Sequence, residues 1–114
     1  MGIIKPSTSI SFAEEKIKTA WEEVLKTDEN LAKQLLKAKQ DIKENAFCGR
    51  SVIKKLIPKI YFKKYGINNL WIYDLPSGWR LLYTLATPNK IEIISVVLNW
   101  MNHKDYEKLF NFQR

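Results

Sequence analysis

The sequence predicts an α+β fold, in which an N-terminal antiparallel helical hairpin packs on an antiparallel sheet of about four strands, with a short C-terminal helix. Two patterns support this fold class. Apolar residues recur at three- and four-residue spacings between positions 13 and 42, as on one face of an amphipathic helix. Three short runs of apolar, β-branched and aromatic residues then occupy positions 70–75, 79–85 and 91–98, separated by Pro, Gly and Asn residues that favour tight turns.

The first ten residues show no strong periodicity, and we expect them to form a loosely held leader. A short edge strand could form at Ile3-Ile4 and Ser9-Ile10, with its length limited by Pro6. The next segment, from Ser11 to Glu14, matches the Ser-x-x-Glu capping box, in which each side chain caps a backbone NH of the other residue. The first helix is therefore predicted to begin here.

Two apolar stripes predict two consecutive helices. The first helix should run to about residue 26, and the second should begin at Asp28, a good N-cap, and continue toward residue 44. Because the linker at positions 27–28 is so short, the two helices should fold back on each other. The stripes consist of Ala13, Ile17, Ala20, Trp21, Val24 and Leu25 in the first helix, and of Leu31, Leu35, Ala38 and Ile42 in the second.

Residues 52–57 are predicted to add a further strand. A short helix over residues 58–65 should follow, because Pro58 suits a first helical turn and Gly66 is a stop signal. The run at 91–98 is almost continuously apolar, which favours a place in the middle of the sheet. The chain should close with a short helix whose N-cap is Asn102.

A side-chain period of two divides the run at 79–85 between the two faces of the sheet. Arg80 shares one face with Leu82 and Thr84, and it is the run's only charged residue. The opposite face carries Trp79, Leu81, Tyr83 and Leu85.

Length and composition indicate one domain, residues 1–114, in a soluble globular protein. Hydrophobic residues make up 46% and charged residues 27% of the chain, and no apolar run approaches the roughly 20 residues that span a bilayer. The lone Cys48 cannot form an internal disulfide, which is typical of a reducing cytoplasm. The net charge of +7 favours a polyanion or an acidic protein as partner. Four lysines in the basic stretch 50–64 are candidate RNA-binding residues: Lys54, Lys55, Lys59 and Lys63.

Three residues could support chemistry on a phosphodiester. Arg80 can hold a phosphate through a bidentate fork and stabilise the charge of a pentavalent transition state. His103 can move protons near neutral pH, and Tyr106 lies one helical turn further on. One His and one Cys practically exclude a structural zinc site. Together, Arg80 and the His103 imidazole would suit metal-free RNA cleavage, in which the ribose 2′-hydroxyl attacks its own phosphate and no cofactor is needed.

Each of these residues also has a purely structural interpretation. Arg80 could pair with Asp74 across the hairpin, His103 could stand exposed in a first helical turn, and Tyr106 could simply pack. The lysines could form an ordinary solvated surface.

Nearly the whole chain after residue 10 resembles the RelE/ParE superfamily, the toxins of type II toxin-antitoxin modules. The resemblance rests on Gly78-Trp-Arg-Leu-Leu-Tyr83, on the β-rich run at 91–96, and on the closing His103-Lys-Asp-Tyr106. The helical hairpin and the Lys55-Leu56 segment precede these features. The resemblance implies two helices on a twisted antiparallel sheet and, in the RelE-like branch, cleavage of mRNA, often on the ribosome. Arg80 matches the sheet arginine of the family, His103 is similar to a histidine used as acid or base, and Tyr106 falls near a C-terminal aromatic position.

One strand departs from the family pattern. Ribosome-dependent members usually place basic residues on the strand before the arginine hairpin, where this sequence has Trp71, Ile72, Tyr73 and Asp74. Lysines of the preceding segment are the candidates to replace them.

The resemblance implies a toxin that cleaves translated mRNA. Because the ParE-like branch poisons DNA gyrase and cleaves no RNA, a non-catalytic toxin with a protein target such as gyrase is the alternative, together with an inactive member. Either toxin class predicts an acidic antitoxin as partner, since opposite charge speeds association.

Overall fold

The structure is a computed structural model that describes residues 5–111. Within these residues, five strands form one mixed sheet: β1 (Ser9–Phe12), β2 (Arg50–Ser51), β3 (Trp71–Asp74), β4 (Arg80–Ala86) and β5 (Ile94–Met101). Their order across the sheet is β1-β5-β4-β3-β2. β1 runs parallel to β5, whereas the other neighbouring pairs are antiparallel.

Four α-helices in the same part of the chain cover both faces of the sheet: α1 (Glu15–Thr27), α2 (Glu29–Glu44), α3 (Lys59–Tyr65) and α4 (His103–Asn111). Asp28 alone separates α1 from α2, and its carboxylate accepts a hydrogen bond from the Leu31 backbone NH at 3.0 Å. Helices α1 and α2 pack on the face that carries Leu81, Tyr83 and Val97. Helices α3 and α4 pack on the opposite face, against Leu82, Leu98 and Met101. The α+β class is confirmed, as three layers. No helix within residues 5–111 is long and apolar enough to cross a membrane.

The predicted sheet needs two corrections: it has five strands rather than about four, and it is mixed rather than antiparallel. Both follow from residues 9–12, which form β1 instead of the start of a helix. The predicted capping box is therefore wrong. Ser11 lies in a strand, and α1 begins after Glu14, whose side chain makes no capping hydrogen bond. The Glu14 carboxylate instead pairs with the Lys64 ammonium at 2.9 Å.

The segment before β1 is tied to the fold from Ser7 onward. Ser7 is buried; its hydroxyl donates to the Ile42 carbonyl at 2.8 Å and shares a hydrogen bond with the Ser95 hydroxyl at 2.6 Å. The prediction of a loosely held leader is therefore wrong for these residues, whereas the edge strand expected at Ser9-Ile10 is confirmed. The other expected strand site, Ile3-Ile4, lies outside the described residues.

The predicted strand at residues 52–57 is also wrong. Only Arg50 and Ser51 pair with β3, after which Lys54–Leu56 form a 3₁₀ turn. The chain leaves the sheet here because Ile57 and Pro58 are buried in the protein interior, directly before α3 begins. The turn leaves Ile53 64% exposed and Leu56 49% exposed, so two large apolar side chains face solvent.

The last strand is displaced by three residues from the predicted run and lies beside the central strand, which is β4. Its start is delayed because the Asn89 side chain accepts hydrogen bonds from the backbone NH groups of Ile91 and Glu92, both at 2.8 Å, and holds a turn. The short helix that ends at Gly66 is confirmed, with Gly66 at φ 63°. The closing helix is confirmed too, since the Asn102 side chain accepts from the Asp105 NH at 2.8 Å.

Candidate functional site

A groove of about 580 Å³ lies between α4 and the segment that runs from β2 into the 3₁₀ turn. One part of its lining is apolar, and it is formed by Val52, Ile53, Leu56, Ile72 and Phe110. The other part is polar, and it is formed by Arg50, Ser51, His103, Tyr106 and Glu107. The groove thus places charged and apolar side chains side by side.

Helix α4 supplies one wall of the groove, because positions 103, 106, 107 and 110 fall on one helical face. The Asn102 cap fixes where that face begins. The His103 side chain is 59% exposed, and its Nε2 contacts the Glu107 carboxylate one turn later. Tyr106 is half-buried and packs against Phe110, with 4.7 Å between the ring centroids. An imidazole beside a carboxylate is an arrangement that can move protons.

Two arginines and one aspartate form a cluster beside this wall. Arg50 binds Asp74 in a bidentate fork, with Nε 2.8 Å from Oδ2 and Nη2 2.9 Å from Oδ1. Arg80 stands opposite Asp74 in the β3–β4 ladder, and its Nε lies 2.9 Å from the same Oδ1. That approach has the distance of an ion pair but not the angle of a hydrogen bond. The Arg80 Nη1 donates instead to the Gly78 carbonyl at 2.6 Å. One carboxylate therefore serves both guanidinium groups.

Tyr106 joins the arginine cluster to the groove. The Arg80 guanidinium carbon lies 5.1 Å from the centre of the Tyr106 ring, within the range of a cation–π contact. The pKa of Arg50 is raised, chiefly by hydrogen bonding to Asp74 and to a smaller extent by hydrogen bonding to Tyr106. Conversely, the Arg50 guanidinium lowers the pKa of Asp74, against a smaller opposing effect of burial. Arg50 and Asp74 are therefore both ionised at neutral pH.

The structure brings the three predicted catalytic residues together at one end of the sheet. His103 and Tyr106 line the groove, and Arg80 lies against Tyr106. The sheet face that carries Arg80 is covered by helices. The Arg80 side chain is only 18% exposed, because α3 and α4 cover that face. The Arg80–Asp74 pair, an alternative left open by the sequence, is present.

The four predicted RNA-binding lysines lie on a neighbouring surface. Lys54 and Lys55 are exposed in the 3₁₀ turn, between Ile53 and Leu56, which line the groove. Lys59 and Lys63 are exposed on α3, one turn apart. The structure thus places the first two beside the groove and the second two on the adjoining helix.

Sequence reasoning missed two groove residues, Arg50 and Glu107. Arg50 was recognised only as part of a basic stretch, because its pairing with Asp74 depends on a strand contact between β2 and β3. Glu107 left a usable signal, since a glutamate four residues after a helical histidine faces it across one turn. Within residues 5–111, no group of three or more His, Cys, Asp or Glu residues is arranged to hold a metal ion.

Gly49, the residue before Arg50, lies against Ile72 and Tyr83 with no room for a side chain, and its replacement tests whether this close approach constrains the loop. The Gly49 NH donates to the Tyr83 hydroxyl at 3.0 Å, and that hydroxyl donates to the Ala46 carbonyl at 2.9 Å. A Cβ at Gly49 would lie 2.8 Å from the Ile72 carbonyl oxygen and 2.8 Å from the Tyr83 hydroxyl, so the backbone must shift. We expect Gly49→Ala to lower the free energy of unfolding by about 1–3 kcal/mol, measured by chemical denaturation.

The matched control for this experiment is Ser51→Ala, an exposed position two residues away. Its effect should stay within about 0.5 kcal/mol of wild type. A Gly49→Ala variant as stable as Ser51→Ala would show that the close approach does not constrain this loop.

Comparison with known proteins finds no matching family model, and no curated sequence or solved structure is significantly similar to the chain.

Proposed function

We propose that this chain is the toxin of a type II toxin-antitoxin module and cleaves translated mRNA without a metal ion. The observation that carries the proposal is the joint lining of one groove by Arg50, His103, Tyr106 and Glu107, with Arg80 against the Tyr106 ring. Such a reaction needs a cation that stabilises the phosphorane and a group that moves protons, and guanidinium and imidazole side chains can supply these functions. The resemblance to RelE-like toxins, with a helical hairpin on a twisted sheet, agrees with this assignment but rests on the sequence alone.

The proposed reaction needs no metal ion or organic cofactor. The ribose 2′-oxygen forms a bond to the adjacent phosphorus, the bond from phosphorus to the 5′-oxygen breaks, and the products are a 2′,3′-cyclic phosphate and a 5′-hydroxyl end. The 2′-hydroxyl gives up one proton and the departing 5′-oxygen takes up one; His103 makes one of these transfers, solvent water makes the other, and Glu107 orients the imidazole. Arg50 and Arg80 stabilise the extra negative charge on the phosphorane, and Tyr106 holds both guanidiniums near the groove. The apolar lining offers surface for a nucleobase.

Induced expression in a bacterial host tests the proposal. We expect growth arrest together with cleavage of a translated reporter mRNA, and the new downstream fragments should carry 5′-hydroxyl ends. A reporter whose start codon is removed is the matched control for a requirement for translation. Growth arrest with an intact reporter would contradict RNA cleavage.

The second candidate is a non-catalytic toxin that inhibits a protein such as DNA gyrase. Three large apolar side chains on a basic surface favour it, since such surfaces often bind protein. They are Ile53, Leu56 and Ile60, which are 64%, 49% and 52% exposed. A gyrase supercoiling assay with the purified chain separates the two candidates. Both predict an acidic antitoxin that covers the basic surface in the cytoplasm, because the chain carries a charge of +7.

A further inference from the structure

Asp74 pairs with both arginines of the cluster, Arg50 in the groove lining and Arg80 beside it. Its two carboxylate oxygens are engaged by the Arg50 fork at 2.8 and 2.9 Å, and one of them also lies 2.9 Å from Arg80 Nε. The cluster is accessible from solvent, since the Arg50 side chain is 54% exposed and that of Asp74 is 49% exposed. An incoming anion can therefore reach Arg50, but it meets a guanidinium that already has a partner.

A carboxylate and a phosphate engage a guanidinium in the same way, through two oxygens that match the two N–H groups of the fork. Asp74 thus fills the position on Arg50 that a phosphodiester oxygen pair would fill. We propose that Asp74 is an internal competitor of the RNA phosphate and sets the affinity of the groove for single-stranded RNA. The inference rests on the proposed function only for the choice of RNA as the ligand.

An opposite role makes the opposite prediction. If Asp74 instead positioned Arg50 for the phosphate, its removal would leave the arginine without a fixed orientation and would weaken binding. Competition predicts tighter binding, because the released guanidinium adds one charge-assisted contact. The sign of the change in affinity therefore distinguishes the two roles.

Fluorescence anisotropy with a short labelled 2′-O-methyl RNA measures this affinity, since the blocked 2′-oxygen cannot attack the phosphate. We expect Asp74→Asn to bind about tenfold more tightly than wild type at low salt. The slope of log K against log salt should steepen by about 0.7, the value for one further phosphate contact on a single strand. Asp74→Glu, which keeps the charge, should bind like wild type.

Asp41→Asn is the matched control for net charge. Asp41 also forms an ion pair, with Lys37 at 2.8 Å, and it accepts a hydrogen bond from Tyr73, whose side chain packs on the sheet face opposite Asp74. Its removal changes the net charge equally and should alter binding by less than about twofold, because Asp41 pairs with Lys37 and Tyr73 and is not among the residues that line the groove. Equal affinities for Asp74→Asn and Asp41→Asn, or weaker binding by Asp74→Asn, would overturn the inference.

Two further variants test whether the gain in RNA affinity depends on Arg50 and whether misfolding explains it. Arg50→Gln combined with Asp74→Asn should lose the gain in affinity, and a retained gain would overturn the assignment to Arg50. Asp74→Ser repeats the charge removal with a smaller side chain, and thermal unfolding checks that each variant is folded. Tighter binding by Asp74→Asn in a chain that cleaves no unmodified RNA would support the competitor role while contradicting the proposed nuclease.

Discussion

Replacing His103 by alanine is expected to lower mRNA cleavage by about 10²- to 10⁴-fold, the usual contribution of a general acid or base. Stability should change by less than about 0.5 kcal/mol, since the side chain is 59% exposed and its ion-pair partner, Glu107, is 54% exposed. The measurements are the rate of reporter mRNA loss after induction and the thermal unfolding of the purified variant. A large loss of cleavage with intact folding would assign the proton transfer to this imidazole.

The control for His103→Ala is Lys104→Ala, at an exposed position on the same turn of α4. It should cleave at the wild-type rate. Glu107→Gln should retain part of the activity, because the amide can still orient the imidazole although it lacks the negative charge of the carboxylate. Cleavage by His103→Ala at the wild-type rate would remove the histidine from the mechanism and leave the proton transfer to another group.

The elements that the sequence predicted well are those set by neighbouring residues. The stripes of α1 and α2, the alternation along β4 and the Asn102 cap of α4 all depend on side chains within one or two turns of each other. The prediction for the start of the chain was wrong because residues 9–14 fit two local patterns, a capping box and a short alternating strand. The parallel pairing with β5, more than eighty residues away, favours the strand, and no local signal reports it.

The candidate site also divides into residues that local patterns predict and residues that depend on long-range contacts. His103 and Tyr106 were found through the helix start that precedes them, and the face of Arg80 followed from strand alternation. The burial of Arg80 could not be predicted, because it depends on α4 returning over the sheet. Arg50 was missed because its position in the site depends on its hydrogen bonds to Asp74. These bonds form only because the two-residue strand β2 pairs with β3 at the edge of the sheet.

Replacing each arginine in turn should show that Arg80 and Arg50 contribute differently to stability and to cleavage. Arg80 is largely covered and holds the Gly78 carbonyl, Asp74 and the Tyr106 ring. We expect Arg80→Ala to lower the free energy of unfolding by about 1.5–3 kcal/mol, as when a charged hydrogen-bonding group is lost, and to reduce cleavage as well. Arg50→Ala should cost about 0–1 kcal/mol, because its pair with Asp74 is about half exposed.

For cleavage, we expect Arg50→Ala to lose about 10²- to 10³-fold, as when one preorganised donor to a developing anion is removed. Chemical denaturation and the reporter assay, run on the same preparations, measure both quantities. Arg80→Lys and Arg50→Lys are the controls for charge: a lysine keeps the positive charge but lacks the planar fork, so neither should restore full activity. If Arg50→Ala is folded and cleaves normally while only Arg80→Ala is inactive, then Arg50 does not hold the phosphate. In that case the reaction would have to use the largely covered Arg80, and α4 would have to move to let RNA reach it.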